Sequence, residues 1–154
     1  MKREYDYAIR IAAFLAGYFP QGQKNVPEIS RSLALTTAVT NKMIHRLKKA
    51  GIVSTTQGRN GGVFLAKTPE KLSLWEVLQA AGFNSTVAEC IHLPGICKLT
   101  AFCKVHCFWI SQETQLFNAF KEKMIADFAF TADSIAANNV PKGNAGNIPI
   151  KIDV

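Results

Sequence analysis

All four cysteines of this chain, Cys90, Cys97, Cys103 and Cys107, fall within one stretch of eighteen residues, with His92 and His106 among them. Pro94 and Gly95 break regular structure there, so the stretch reads as a loop. It divides the chain into a basic first half and a long amphipathic pattern that follows. Thiols gathered in one loop point to a metal or iron–sulfur site, a redox switch, or disulfides. The spacing C-x6-C-x5-C-x2-H-C is too open for a zinc ribbon, which wants close cysteine pairs. It suits a cluster whose ligands come from a loop wrapped over it. The plain alternative is a set of buried thiols acting as small hydrophobes, and the gathering of all four in one window speaks against it.

Charge separates the two halves further. Of the net +7, residues 1–67 carry 11 Lys and Arg against 3 Asp and Glu, while the remainder has 7 against 8. So one-sided a distribution is the footprint of a polyanionic partner. No apolar run approaches the roughly 18 residues a membrane span needs. The opening Met1–Asp6 leads into an apolar stretch without a small-residue cleavage site. The expectation is a cytoplasmic protein with reduced thiols and no membrane partner.

Taken in order, residues 5–18 read as a helix with Tyr7, Ile11, Phe14, Leu15 and Tyr18 on one face. Asp6 and Arg10, four apart, can pair on the exposed side. A second, short helix starts at Asn25, whose side chain and that of Glu28 form a capping box; Val26, Ile29 and Leu33 share its inner face. A third helix spans 37–50, with Val39, Met43, Ile44 and Leu47 inward. Thr40, Asn41, Lys42, His45, Arg46, Lys48 and Lys49 lie elsewhere, and Gly51 ends it. Two short helices, the second polar and basic, make a helix-turn-helix candidate. Ile52–Thr56 and Val63–Leu65 then flank the turn Gln57–Gly62, giving a β-hairpin with a polar, cationic tip. Together these predict a winged helix. A phosphate-binding loop is excluded for this glycine run because no G-K-[ST] follows.

Ser73 and Glu76 cap a helix over 74–81, stopped by Gly82. Beyond the cysteine loop, a pattern free of Gly and Pro runs from Phe108 to Ala137. Phe117, Phe120, Met124, Phe128, Thr131 and Ile135 form its stripe. One continuous helix there would be on the order of 40 Å long and would need a symmetry mate to cover it. The expected architecture is mainly α with a small β-hairpin wing: a winged helix-turn-helix domain over 1–82, a cysteine-rich cluster loop over 83–108, a dimerisation helix over 109–137 and a loose tail over 138–154.

This order resembles the family of winged-helix regulators that includes IscR, NsrR, RirA and CymR. The matching stretches are DYAIRIAAFLA, the run IHRLKKAGIVSTTQGRNGGVFLAKTPEKLSLWEVLQA, and the cysteine loop. The resemblance implies a homodimer on a partly palindromic double-stranded DNA operator, recognition helices in the major groove and wings in the minor groove. It sets Ala38, Asn41 and Lys42 where the recognition helix meets base edges, with Thr37 among the DNA-binding residues; Asn41 suits adenine, and Lys42 or Arg46 suits guanine or phosphate. In the wing it sets Gln57 where relatives often have arginine, Arg59 at a position usually small or Pro, and Asn60 beside it. The branch it resembles carries an iron–sulfur cluster, four-iron or two-iron, with Cys90, Cys97 and Cys103 as thiolate ligands. For the fourth ligand, Asp6 resembles an aspartate offered by the partner subunit to a four-iron cluster, and is preferred. His106 resembles the histidine of two-iron regulators, and Cys107 is a third candidate.

The expected function is therefore a dimeric transcriptional regulator whose operator binding follows the state of a cluster that senses nitric oxide, iron or redox state. A cluster-free thiol-redox repressor is the first alternative, and a small metal-binding or electron-transfer protein the second. No Ser/His/Asp or paired-carboxylate arrangement favours an enzyme.

Overall fold

The computed structural model describes residues 3–137 apart from 21, 59, 60, 85 and 94. Its first helix, α1 (Arg3–Ala16), is the element the others pack around. From Ile11 to Ala16 every residue is buried, and a helix apolar on all sides must be enclosed by its neighbours. Later helices, the hairpin and a 3-10 turn at Ile125–Phe128 supply that enclosure.

Local chemistry sets the next two helices. In α2 (Val26–Ser32), Glu28 N donates to Asn25 Oδ1 and Asn25 N to the Glu28 carboxylate, both at 2.9 Å. For α3 (Thr37–Lys49), Thr36 Oγ1 accepts from Val39 N at 3.3 Å. This helix ends where Gly51 takes a φ of +69° and Ile52 N returns to the Leu47 carbonyl at 2.9 Å, a left-handed turn that glycine adopts freely.

The sequence pattern put Thr40 outside the core, but the structure buries it completely. Its hydroxyl accepts from Ser30 Oγ at 2.9 Å and donates to the Thr36 carbonyl at 3.1 Å. With both roles filled, the hydroxyl loses little on leaving water, and its methyl packs like that of valine. This pair fixes how α2 crosses α3. Thr40→Val should cost about 1–3 kcal/mol, because Ser30 keeps a buried hydroxyl without its acceptor. Urea melts of T40V and of the S30A/T40V pair check it; the double variant should recover part of the loss.

Strands β1 (Val53–Thr55) and β2 (Val63–Leu65) pair antiparallel, Val53 against Leu65 and Thr55 against Val63. On the far side of β2, Lys24 exchanges two backbone bonds with Val63, at 3.0 and 2.9 Å. A β-carbon on Gly62 would come within 3.1 Å of the Lys24 backbone, a tight contact that glycine avoids as this third segment closes in. After the wing, α4 (Leu74–Ala80) opens on the expected Ser73–Glu76 box.

The C-terminal part departs from the single helix expected over 108–137. Helix α5 (Lys104–Glu122) ends there, and Lys123 and Met124 are extended. Leu74 N donates to the Lys123 carbonyl and Ile125 N to the Leu72 carbonyl, each at 2.8 Å. Ile125 itself is fully buried in the core around α1. Burying one isoleucine is worth about 1.5–3 kcal/mol, and the two cross-chain bonds replace those lost from the helix. Met124 N also finds Asp127 Oδ2 at 3.2 Å. The chain then runs back along α1: Phe130 N bonds the Ala13 carbonyl at 3.3 Å, and Ala132 N, opening α6 (Ala132–Ala137), donates to the Tyr18 hydroxyl at 2.8 Å. Gly17 makes this possible, since a β-carbon there would lie 2.1 Å from the Phe130 carbonyl oxygen. The tail over 138–154 lies outside the described residues. Among the described residues no helix is long and apolar enough to cross a membrane.

Candidate nucleic-acid interface and cysteine loop

Because Met43, Ile44 and Leu47 anchor one side of α3, its helical period turns Ala38, Asn41, Lys42, His45 and Lys49 away from the core. All five are exposed, as is Thr37 in the first turn. Lys42 is not free, however: its Nζ pairs with the Glu4 carboxylate. Arg46 departs further from the expected outward position. It is half-buried, and its Nη1 donates to Glu4 Oε2 at 2.9 Å and to the Ala81 carbonyl at 2.8 Å. Arg46 thus ties α3 to α1 and to the end of α4, while Lys42 and Lys49 stay on the exposed side of the helix. Hydrogen bonds from Lys42 and then Arg46 hold the Glu4 carboxyl below the usual range. Lys48 reaches β1, with Nζ 2.7 Å from Thr55 Oγ1, linking helix to wing. Gln57 is exposed in the hairpin turn. Arg59 and Asn60 lie outside the described residues.

The cysteine loop consists of short turns laid against the start of α5. Cys90 sits in a 3-10 turn, Glu89–Ile91, and a second one, Thr100–Phe102, leads into Cys103. Cys103 is the N-cap of α5: the His106 amide donates to its Sγ at 3.4 Å. The ring of the same histidine turns to the other thiol, with Nδ1 3.4 Å from Cys90 Sγ. Cys97 is half-buried, its carbonyl held by Thr100 Oγ1 at 2.7 Å, and Cys107 is exposed. All four are free thiols. Asp6 pairs with Arg10 at 2.9 Å, with both side chains about half exposed. His106 thus meets Cys103 through its backbone amide and Cys90 through its ring, and among the described contacts the side chains of Cys97, Cys107 and Asp6 take no part in that meeting. Among the described residues, no three His, Cys, Asp or Glu side chains form a group able to hold a single metal ion.

Glu113 organises this loop, and the sequence reading passed over it. It is only 4% exposed. Its Oε1 accepts from Thr86 Oγ1 at 2.8 Å and Val87 N at 3.0 Å, and its Oε2 lies 2.6 Å from His92 Nε2. The cue was positional: Glu113 stands four residues from Trp109 and four from Phe117, a carboxylate in the middle of an apolar stripe. Below it, Phe117 packs on Trp75 at 5.0 Å and on Phe83 at 6.0 Å. Burial pushes the Glu113 carboxyl up, but the bonds from Thr86, Val87 and His92 together outweigh it and leave the pKa lowered. A lowered carboxylate pKa contributes stability that is present above the unfolded value and lost as pH falls through the folded one. The loop should therefore stay docked on α5 above an ordinary glutamate pKa of 4.5 and loosen as pH drops below it. Limited proteolysis within 86–92 across an acid titration checks this.

Residues 1–131 match the sequence profile of the Rrf2 family, described as an iron-dependent transcriptional regulator. The chain is 30% identical to the HTH-type transcriptional regulator NsrR of Geobacillus kaustophilus over 101 residues, which is 65% of this chain and 69% of that protein. Among solved structures it is similar to CymR, the global cysteine regulator of B. subtilis, with a TM-score of 0.72 and 16% identity, covering 84% of this chain and 95% of that one. IscR of T. potens gives a TM-score of 0.65 and 18% identity over 82% and 83% of the two chains. At such identities the two structures speak for the shared winged-helix fold alone.

Proposed function

The chain belongs to the Rrf2 family of transcriptional regulators, and from that premise we propose that it is a homodimeric operator-binding protein whose grip on DNA is set by an iron–sulfur cluster in the cysteine loop. The observation that carries this is the meeting of Cys90 and Cys103 at His106, at the head of α5. Soft thiol donors from one loop, one facing the His106 ring and another accepting from the His106 backbone amide, are a donor set that fits a cluster. Cys90, Cys97 and Cys103 would hold it, with His106 or Asp6 of the partner subunit as the fourth ligand. When bound, the cluster supplies iron that gains and loses electrons and reacts with small oxidants or nitric oxide.

The protein's own part is to pass the state of those thiols to α3. Cys103 caps α5, so a change at its sulfur reaches the first turn of that helix. The far half of α5 carries Phe117 and Phe120 onto Phe83, just past the end of α4. Arg46 of α3 bonds the Ala81 carbonyl at the same place. Bases would be met by Ala38, Asn41 and Lys42, and phosphates by Lys48, Lys49 and the wing. Val105, Phe108, Ile110 and Leu116 are exposed along α5, an apolar surface that a second copy would cover.

Iron and acid-labile sulfide per monomer, with a visible spectrum on anaerobically purified protein, test the proposal. Comparable iron and sulfide are expected in the wild type, little in Cys90→Ser, Cys97→Ser or Cys103→Ser, and near-normal amounts in Cys107→Ser. Loss in Asp6→Ala or in His106→Ala identifies the fourth ligand. Colourless protein after anaerobic reconstitution would sink the cluster. A thiol switch, favoured by the exposed Cys107, would then take its place.

A further inference from the structure

Outside the cluster ligands stand the Glu4 pairs on α3, a cavity lined by Trp75, Phe83 and His92, and Glu113. Glu113 is the one whose geometry leads to a definite role. A carboxylate buried in an apolar stripe is costly unless every lone pair is engaged. Here both oxygens are engaged, by Thr86, Val87 and His92, so Glu113 is not available as an iron ligand. What it engages is the segment that delivers the first cysteine. Thr86 and Val87 lie shortly before Cys90, and His92 lies two residues after it. His106 and Glu113 are seven apart on α5, two turns along one face and about 10 Å of rise. The segment from 86 to 92 therefore runs beside α5, held at one level by Glu113 and touching it at another through Cys90 and His106.

We propose that Glu113 is the positioning residue of the cluster loop: it docks both flanks of Cys90 on α5 and so presents that thiolate beside His106 and Cys103. This rests on the cluster reading for its consequence, though not for its geometry. His92, Thr86 and Val87 together hold the carboxylate. Removing the carboxylate frees all three at once and loosens the segment that carries Cys90 to His106. Groups that orient metal ligands in this way typically change metal retention by 10–100-fold when replaced.

Two measurements test it on the full-length protein, in wild type, Glu113→Ala, Glu113→Gln and His92→Asn. The first is the rate of iron release to a ferrous chelator after anaerobic reconstitution. Glu113→Ala should release iron on the order of 10-fold faster. Glu113→Gln, which keeps an acceptor for Thr86 and Val87, should fall between it and wild type. The second is the alkylation rate of each thiol in metal-free protein, read by mass spectrometry. Cys90 alone should become faster in Glu113→Ala, with Cys107 unchanged and the urea midpoint of the winged-helix core close to wild type. Unchanged Cys90 alkylation and unchanged iron release in folded Glu113→Ala would overturn the proposal. Equal acceleration at all four thiols would also overturn it, because that is the mark of general loosening. A wild type with neither iron nor sulfide would overturn the cluster reading and any role in iron retention; the alkylation rates would still decide whether Glu113 sets Cys90.

Discussion

Phe14→Ala should lower the stability of the protein by about 3–5 kcal/mol, the range for deleting a buried aromatic ring. Phe14 is 1% exposed in the middle of α1, with its ring 5.2 Å from that of Tyr18 and 5.8 Å from that of Phe130. The loss combines the transfer of a large apolar surface with a cavity that cannot collapse, because the flanking positions Ala13 and Leu15 are also buried. Neighbours on the C-terminal return should loosen too, since Phe130 loses the ring it packs on. Urea denaturation would show a lower midpoint, and hydrogen exchange would show earlier loss of protection at Phe130 and Ala132 than at the α2–α3 pair. A change below about 1 kcal/mol would mean that α1 is not the centre of the core.

Affinity for duplex DNA carrying the operator should fall roughly a thousandfold between about 50 and 200 mM salt, as for proteins that neutralise six or more phosphates. Lys48, Lys49 and, once released from Glu4, Lys42 would give three cations per protomer on or beside the outer face of α3, six in the proposed dimer. Lys49→Ala should flatten the salt slope while leaving the preference for the operator over other DNA intact. Asn41→Ala should do the reverse, costing about 1–3 kcal/mol of discrimination at each half-site with little change in slope. Titrations by fluorescence anisotropy at four salt concentrations separate the two. Salt-independent binding would contradict a recognition surface built on these lysines.

The first half of the fold was legible because its boundaries are written in local chemistry. Asn25 with Glu28, Gly51, and Ser73 with Glu76 each act on residues close in the sequence, and each sits where the pattern places it. The hairpin was legible for the same reason. What stayed hidden depends on residues far apart in the sequence. No Gly or Pro marks the end of α5; the helix stops because Leu72 and Leu74 compete for the backbone of Lys123 and Ile125. Thr40 is buried only because Ser30 comes to meet it. Arg46 is drawn off the outer face by Glu4 and Ala81, neither of which a helical wheel includes. In the cysteine loop, the composition marked the stretch, but the carboxylate that holds its 86–92 segment lies on another element.

The contact between Gly17 and Phe130 has a consequence for how the protein is made. Translation proceeds at about 5–20 residues per second, so the end of the first helix leaves the ribosome on the order of ten seconds before residue 130 does. During that interval the apolar wall of Ala13, Phe14 and Ile11 has its early neighbours but not Ile125 or Phe130. The nascent winged helix is therefore an unfinished core with one flank open to chaperones or to other chains. Termination anywhere in α5 would release it in that condition. Completing the core around α1 waits on the return of residues 125–130, and a message cut short after the wing encodes that core with one flank uncovered.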